Sequence, residues 1–168
     1  MSIALDYRFD GASEAAQAFQ RLERAIGDAT PIMRAVGVGL VRNTHDRFAA
    51  GVGPDGAAWR ALVPAYAAGK RGPGILRESG QLMRSITFRA GRASVEVGTN
   101  RIYAGVHQTG ATIVPKAAKA LAFRIGNSFA VVQSVTIPAR PYLGLSRADE
   151  ELTLDIVEGA LERAVGGS

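Results

Sequence analysis

Apolar and polar residues alternate through "IALDYRF" (residues 3–9), the period-2 pattern of a strand with one buried face. The period then lengthens. Across "DGASEAAQAFQRLERAI" the apolar positions Ala15, Phe19, Leu22 and Ile26 recur at helical spacing. "GDATP" closes that helix, and Thr30-Pro31 opens another, with a capping side chain followed by proline at the first helical position. The second helix is predicted to run to about Phe48. Gly37 and Gly39 lie inside it, and each weakens it by roughly 1 kcal/mol relative to alanine. Two glycines on an apolar helix predict close approach by another backbone, from this chain or another subunit, with plain tolerance as the alternative.

Periodicity stops between residues 51 and 75, "GVGPDGAAWRALVPAYAAGKRGPGI", which reads as a long Gly/Pro-rich loop. Its "GPDG" is a turn in which proline sets φ, aspartate caps and glycine supplies positive φ. The loop carries Trp59, the sole tryptophan, with Tyr66, Lys70 and Arg71. Trp59 is expected to anchor the loop on its own core or on a neighbour; stacking on bases is the alternative. "SGQLMRSI" predicts a short helix opened by Ser79. "ITFRAGRASVEVGT" predicts two strands around a glycine turn, with Val95 and Val97 on one face. "ALAFRIGNSFAVVQSVTI" predicts a second hairpin turned at Gly126-Asn127. "PARPYLGLS" is a stiff extended linker with Arg140 at its centre. A last helix, residues 146–165, is capped by Ser146 with Asp149 three residues on, a capping-box pattern. Its predicted apolar stripe is Leu152, Ile156, Val157, Ala160, Leu161 and Ala164.

The order of elements predicts an α+β fold: an antiparallel sheet of two hairpins plus the N-terminal strand, packed with N-terminal helices and a C-terminal helix. The 168 residues fit one domain, 1–168, large enough to bury a core without disulfides or metals.

Charge changes the picture more than composition does. The net charge is +5, yet residues 56–147 hold thirteen basic groups against Glu78 and Glu96, while residues 148–168 hold six acids against one base. Seventeen of the twenty bases are arginine, which favours bidentate contacts with carboxylate or phosphate. A basic middle can bind nucleic acid or the acidic tail of a neighbouring copy. No run approaches the ~20 apolar residues of a membrane span, and the acids near the N-terminus do not fit a secretion signal. Synthesis in a cytoplasm, with no membrane partner, is the expectation.

Candidate chemistry is sparse. With no cysteine there is no disulfide, thiolate metal site or cysteine nucleophile. His45 and Asp46 are adjacent on a predicted helix and point about 100° apart. No HExxH, GxSxG or GxxxxGK[ST] motif occurs. His107 has no acid near it in sequence, so it reads as a hydrogen-bonding residue in a buried or interfacial corner with Tyr103, Gln108 and Gly110. The expectation is a protein without catalysis, cofactor or metal.

Five stretches in order carry a resemblance. They are "PDGAAWRAL" followed by Tyr66 and Lys70, then "ILRESGQLMRSI", "VEVGTNRIYAGVHQTG", "IPARPYLGLS" and an acidic C-terminal helix. Together, over roughly residues 45–165, they resemble the phage virion morphogenesis family, the tail-completion and head–tail joining proteins of Mu-like tailed phages. The loop before "IPARPYLG" departs from the pattern, being long and carrying Lys116 and Lys119. The resemblance implies a tail-terminator-like fold and a structural virion protein at the head–tail junction. It implies a subunit that forms a ring, commonly six-fold, contacts the tail tube protein and head-side connector or neck proteins, and lets DNA pass through its lumen without sequence specificity. Trp59, Tyr66, Lys70, Tyr103, His107, Gln108, Arg140 and Tyr142 are the assembly-site candidates: Trp59 and Tyr142 as packing anchors, His107 and Gln108 as hydrogen-bond fixers, Arg140 as a clamp. A basic nucleic-acid-binding module is the alternative.

Overall fold

A computed structural model of the chain describes residues 28–125 and 128–166. The expected N-terminal strand and first helix, and the Gly126-Asn127 turn, lie outside the described residues. Helix α1 (Thr30–Ala50) begins where the Asp28 carboxylate accepts the Thr30 N–H (3.0 Å) and hydroxyl (2.6 Å). Asp28, not Thr30, is therefore the capping acceptor, with Ala29 at the N-cap and Pro31 in the first turn. The helix ends at Gly51, whose φ of 71° is open to glycine and whose N–H reaches the Arg47 carbonyl at 2.8 Å. Met33, Val36, Leu40, Thr44, Arg47 and Phe48 are buried on one side.

The glycines of α1 meet side chains of the same chain and not a second backbone. A Cβ on Gly37 would fall on the Phe88 ring, and one on Gly39 would fall on Leu152. Those two close approaches set α1 against the first hairpin and the C-terminal helix.

Residues 51–75 are more ordered than a loop. A turn over 53–57 is closed by Asp55, whose carboxylate accepts the Ala57 N–H at 3.0 Å, and Val52 bridges Ala58. Helix α2 (Pro64–Gly69) follows, proline supplying the first-turn residue that needs no N–H partner. Helix α3 (Gln81–Arg84) has Gly80, at φ 68°, as its N-cap; Ser79 sits one position earlier and its hydroxyl accepts the Gln81 N–H at 3.4 Å.

The sheet content is three antiparallel two-stranded ladders among the described residues. Strands β1 (Thr87–Ala90) and β2 (Val95–Gly98) form the first hairpin, with Val97 packed on the core. After helix α4 (Ala104–Thr109) come β3 (Ala111–Ile113), β4 (Leu121–Ile125), β5 (Ser128–Val132) and β6 (Val135–Ile137). β4 pairs with β5 in the register Leu121↔Val132 to Ile125↔Ser128. The second hairpin stops at Val132, however. Val135–Ile137 pairs with Ala111–Ile113 instead. Only two residues separate β5 from β6, whereas seven separate β3 from β4, so the ladder register cannot run through and residues 114–120 stand out as an insertion.

Helix α5 (Arg147–Gly166) is capped reciprocally: the Ser146 hydroxyl accepts the Asp149 N–H and the Asp149 carboxylate accepts the Ser146 N–H at 2.9 Å. Its inward face is Asp149, Thr153, Val157 and Ala160, while Ala164 of the expected stripe is exposed. Two apolar clusters result. Ala29, Met33, Val157 and Ala160 join α1 to α5, and Phe48, Trp59, Leu82, Ile86, Ala104, Tyr142 and Leu143 fill the centre.

Candidate assembly site

The segment Pro138–Leu143 threads through the centre of the molecule as a strap. Prolines 138 and 141 hold φ near −65° and remove two N–H groups that would otherwise need partners. Much of the remaining polar backbone finds partners elsewhere in the chain. Gln108 accepts the N–H groups of Tyr142 and Leu143, both at 3.1 Å, and donates to the Leu143 carbonyl at 2.8 Å. Trp59 donates its indole N–H to the Pro141 carbonyl at 2.7 Å. The Arg140 N–H bonds the His107 carbonyl at 2.8 Å. Gly110, at φ 75°, lets the strap close on α4, since a Cβ there would lie 2.8 Å from the Ala139 nitrogen.

Around the strap the aromatic anchors interlock. The Phe48 ring meets Trp59 edge-on at 5.4 Å and Tyr142 at 5.2 Å. The Tyr142 hydroxyl donates to the Ala104 carbonyl at 3.2 Å; burial and then Tyr103 push the phenol up to about 12. The Arg140 guanidinium is buried and donates to the carbonyls of Arg60 (2.8 Å) and Ala61 (3.3 Å), tying the 51–75 segment to the strap.

The other candidates line a largely apolar cavity of about 540 Å³ beside the strap, between α2, β4 and β6. Tyr66, Lys70, Tyr103, His107 and Arg140 all reach it. Lys70 is held by Glu78 at 2.7 Å, and that carboxylate also accepts the N–H groups of Arg71 and Gly72. His107 stacks edge-on to Tyr103 at 6.1 Å, and its Nδ1 is buried without a hydrogen-bond partner. Burial, then the Arg140 charge, hold its pKa below the usual histidine value, so the ring is neutral at pH 7. Among the described residues no bonded carboxylate orients it, and no three His, Asp or Glu side chains could share a metal ion. Trp59 and Tyr142 belong to the core rather than to the cavity wall, and Gln108 is half-buried beside the strap.

One constellation escaped the sequence reading. Arg47 and Asp149, 102 residues apart, form a buried ion pair at 2.6 Å. Asp149 further accepts from the Asn43 amide (2.8 Å) and from the Ser146 hydroxyl (2.8 Å). Arg47 also donates to the Thr44 hydroxyl (2.9 Å) and the Gly144 carbonyl (3.2 Å). Burial pushes the Asp149 carboxyl up, but the Ser146 N–H, Arg47, Asn43 and the Ser146 hydroxyl outweigh it and hold it below the usual carboxylate value. The available signal was Arg47 itself, a charge at spacing +11 from Val36 and +7 from Leu40 on the buried stripe of α1.

This chain matches the profile of the phage virion morphogenesis family over residues 10–162. The chain belongs to the phage virion morphogenesis family. It is 29% identical over 142 residues to "Putative capsid assembly protein G" of Escherichia phage Mu, covering 80% of both chains. It is 28% identical over 154 residues to "Mu-like prophage FluMu G protein 2" of Haemophilus influenzae, covering 92% of this chain and 94% of that one. No solved structure matches it. A phage virion morphogenesis protein takes part in particle assembly.

Proposed function

We propose that this morphogenesis protein is a tail-completion or neck subunit, joining copies of itself into a ring at the head–tail junction and contacting the tail tube on one side and head-side connector proteins on the other. DNA passes through the lumen of that ring without being read. The observation that carries the reading is the separation of charge along one chain: residues 97–148 hold no Asp or Glu, whereas α5 is acidic. Identical copies with unlike charge on different faces associate head to tail, and such heterologous contacts close into rings. The buried Arg47–Asp149 pair and the strap hold the two regions in one orientation, as repeated contacts around a ring require. Light scattering and negative-stain imaging of the protein, alone and with tail tubes, test the reading. Closed rings support it; a strict monomer that ignores tubes sinks it.

The basic, acid-free stretch also favours a second reading, a nucleic-acid-binding module. That module shifts duplex DNA as a monomer, with affinity falling steeply as salt rises because each neutralised phosphate releases counterions. A ring subunit shows no such monomer affinity.

A further inference from the structure

We propose that the outer face of the β4–β5 hairpin is the surface by which one copy grips the next, and that its counterpart is the acidic outer face of α5 on that second copy. The inference rests on the ring reading and names the contact that would build it.

The hairpin has two unlike faces. Because side chains alternate along a strand, the pairs Leu121/Val132 and Phe123/Ala130 turn inward, while Ala122/Val131 and Arg124/Phe129 turn outward. Phe129 is 68% exposed and Val131 62%, so the outward face is apolar and uncovered. Large side chains in adjacent positions on a solvent-facing sheet mark an interaction site. The charges on and beside this face have one sign: Arg124 on the hairpin, Lys116 and Lys119 on the exposed insertion that precedes it. A partner must therefore offer carboxylates next to apolar surface.

α5 offers both. Glu151, Asp155, Glu158 and Glu162 are exposed at helical spacing, and half-buried Leu154 and Leu161 run beside them. From Glu151 to Glu162 the helix rises about 16 Å at 1.5 Å per residue, and a five-residue strand spans about 14 Å between its end residues. The two surfaces match in length as well as in charge. Among the described residues the ion pairs of these groups reduce to Arg147–Glu151 on α5 itself, an exposed i, i+4 contact of small worth. The cavity beside the strap is the competing seat for Phe129, but the acid in its lining, Glu78, is already paired with Lys70 at 2.7 Å.

Charge reversal tests the pairing. One chain carries Lys116→Glu, Lys119→Glu and Arg124→Glu; a second carries Asp155→Lys, Glu158→Lys and Glu162→Lys. All six positions are exposed, and Trp59 emission verifies folding. By light scattering at low salt, each reversed chain alone is expected to lose at least about tenfold in self-association, because like charges now face each other. Mixed one to one, the two chains are expected to regain assemblies of wild-type mass in which they alternate. Wild-type rings that persist in both reversed chains overturn this interface and leave the ring reading standing. Loss in each chain without recovery on mixing overturns the pairing with α5. A wild type that is monomeric with and without tail tubes overturns both, and a hairpin reversal that only abolishes a DNA shift assigns the face to phosphate instead.

Discussion

Gln108 replaces a strand partner for Leu143: its side-chain amide accepts the Leu143 N–H at 3.1 Å and donates to the Leu143 carbonyl at 2.8 Å. The strap thereby crosses the core without belonging to any ladder. Removing one side of such an exchange leaves the other unpaired in a partly buried place, which is dearer than the bond itself. Gln108→Ala is expected to destabilise the fold by about 2–3 kcal/mol, and Gln108→Glu, which retains the acceptor but loses the donor, by about 1–2. Urea unfolding followed by Trp59 fluorescence measures both. A Gln108→Ala midpoint within error of wild type would remove the strap from this account.

Asp149→Ala leaves the Arg47 guanidinium buried without its counter-charge. The expected loss is about 3–5 kcal/mol, as for other broken buried pairs. Replacing Arg47 and Asp149 together by Met and Leu should recover much of it, because no lone charge then remains buried. If the double variant is no more stable than Asp149→Ala, the desolvated arginine is not the cause.

Two pH windows follow from pKa values that folding lowers. For a group whose folded pKa is depressed, the unfolded chain binds the proton more readily, so stability is full above the unfolded pKa and falls as pH drops toward the folded one. His107 therefore withdraws stability as pH falls below about 6.5, because burial and then Arg140 disfavour its cation. Asp149 withdraws more below about 4, with exposed Asp28 and Glu78 adding to the same slope. His107→Asn should flatten stability between pH 7 and pH 5 and leave the acid limb in place. An unchanged slope in that variant would assign the upper window to another group.

Gly37→Ala should destabilise although alanine is the better helix former. The propensity gain is about 1 kcal/mol, but the new methyl lands on the Phe88 ring, and overpacking costs about 1–3 kcal/mol. The double variant Gly37→Ala/Phe88→Leu should be milder than Gly37→Ala alone. Thermal unfolding of the three chains decides it.

Tyr142 carries a phenol pushed up to about 12 by burial and by Tyr103. An ultraviolet titration should show a tyrosine ionising near that pH, and Tyr142→Phe should abolish that step. The same variant loses the bond to the Ala104 carbonyl, worth about 1 kcal/mol. A titration that ends near the ordinary tyrosine value of about 10 would contradict the burial.

Much of the fold was legible because its signals are local. Pro31 marks the first turn of α1, the Ser146/Asp149 box opens α5, and the alternating patterns before and after residues 126–127 mark β4 and β5. Misreadings arose where a neighbour competes. Asp28 sits two residues before Thr30 and takes the cap, and β6 is taken by β3 because residues 114–120 displace the register. The arrangement of the candidate residues could not be read from the sequence. Nothing in the spacing of Trp59, Gln108 and Arg140 says that all three serve one strap.

By itself, the sequence determined the helix and strand periods, the turns and caps, the alternation of charge along the chain, and the α+β plan of the phage virion morphogenesis family. Each of these depends on residues within a few positions of one another or on composition. Tertiary structure alone decided that Asp149 of the capping box also neutralises Arg47, that α1 glycines admit Phe88 and Leu152, and that Phe129 and Val131 are left uncovered. The reason is physical. Whether a charge is matched or an apolar face covered depends on groups brought together from 51 to 113 positions away, and no local period records which of them arrives.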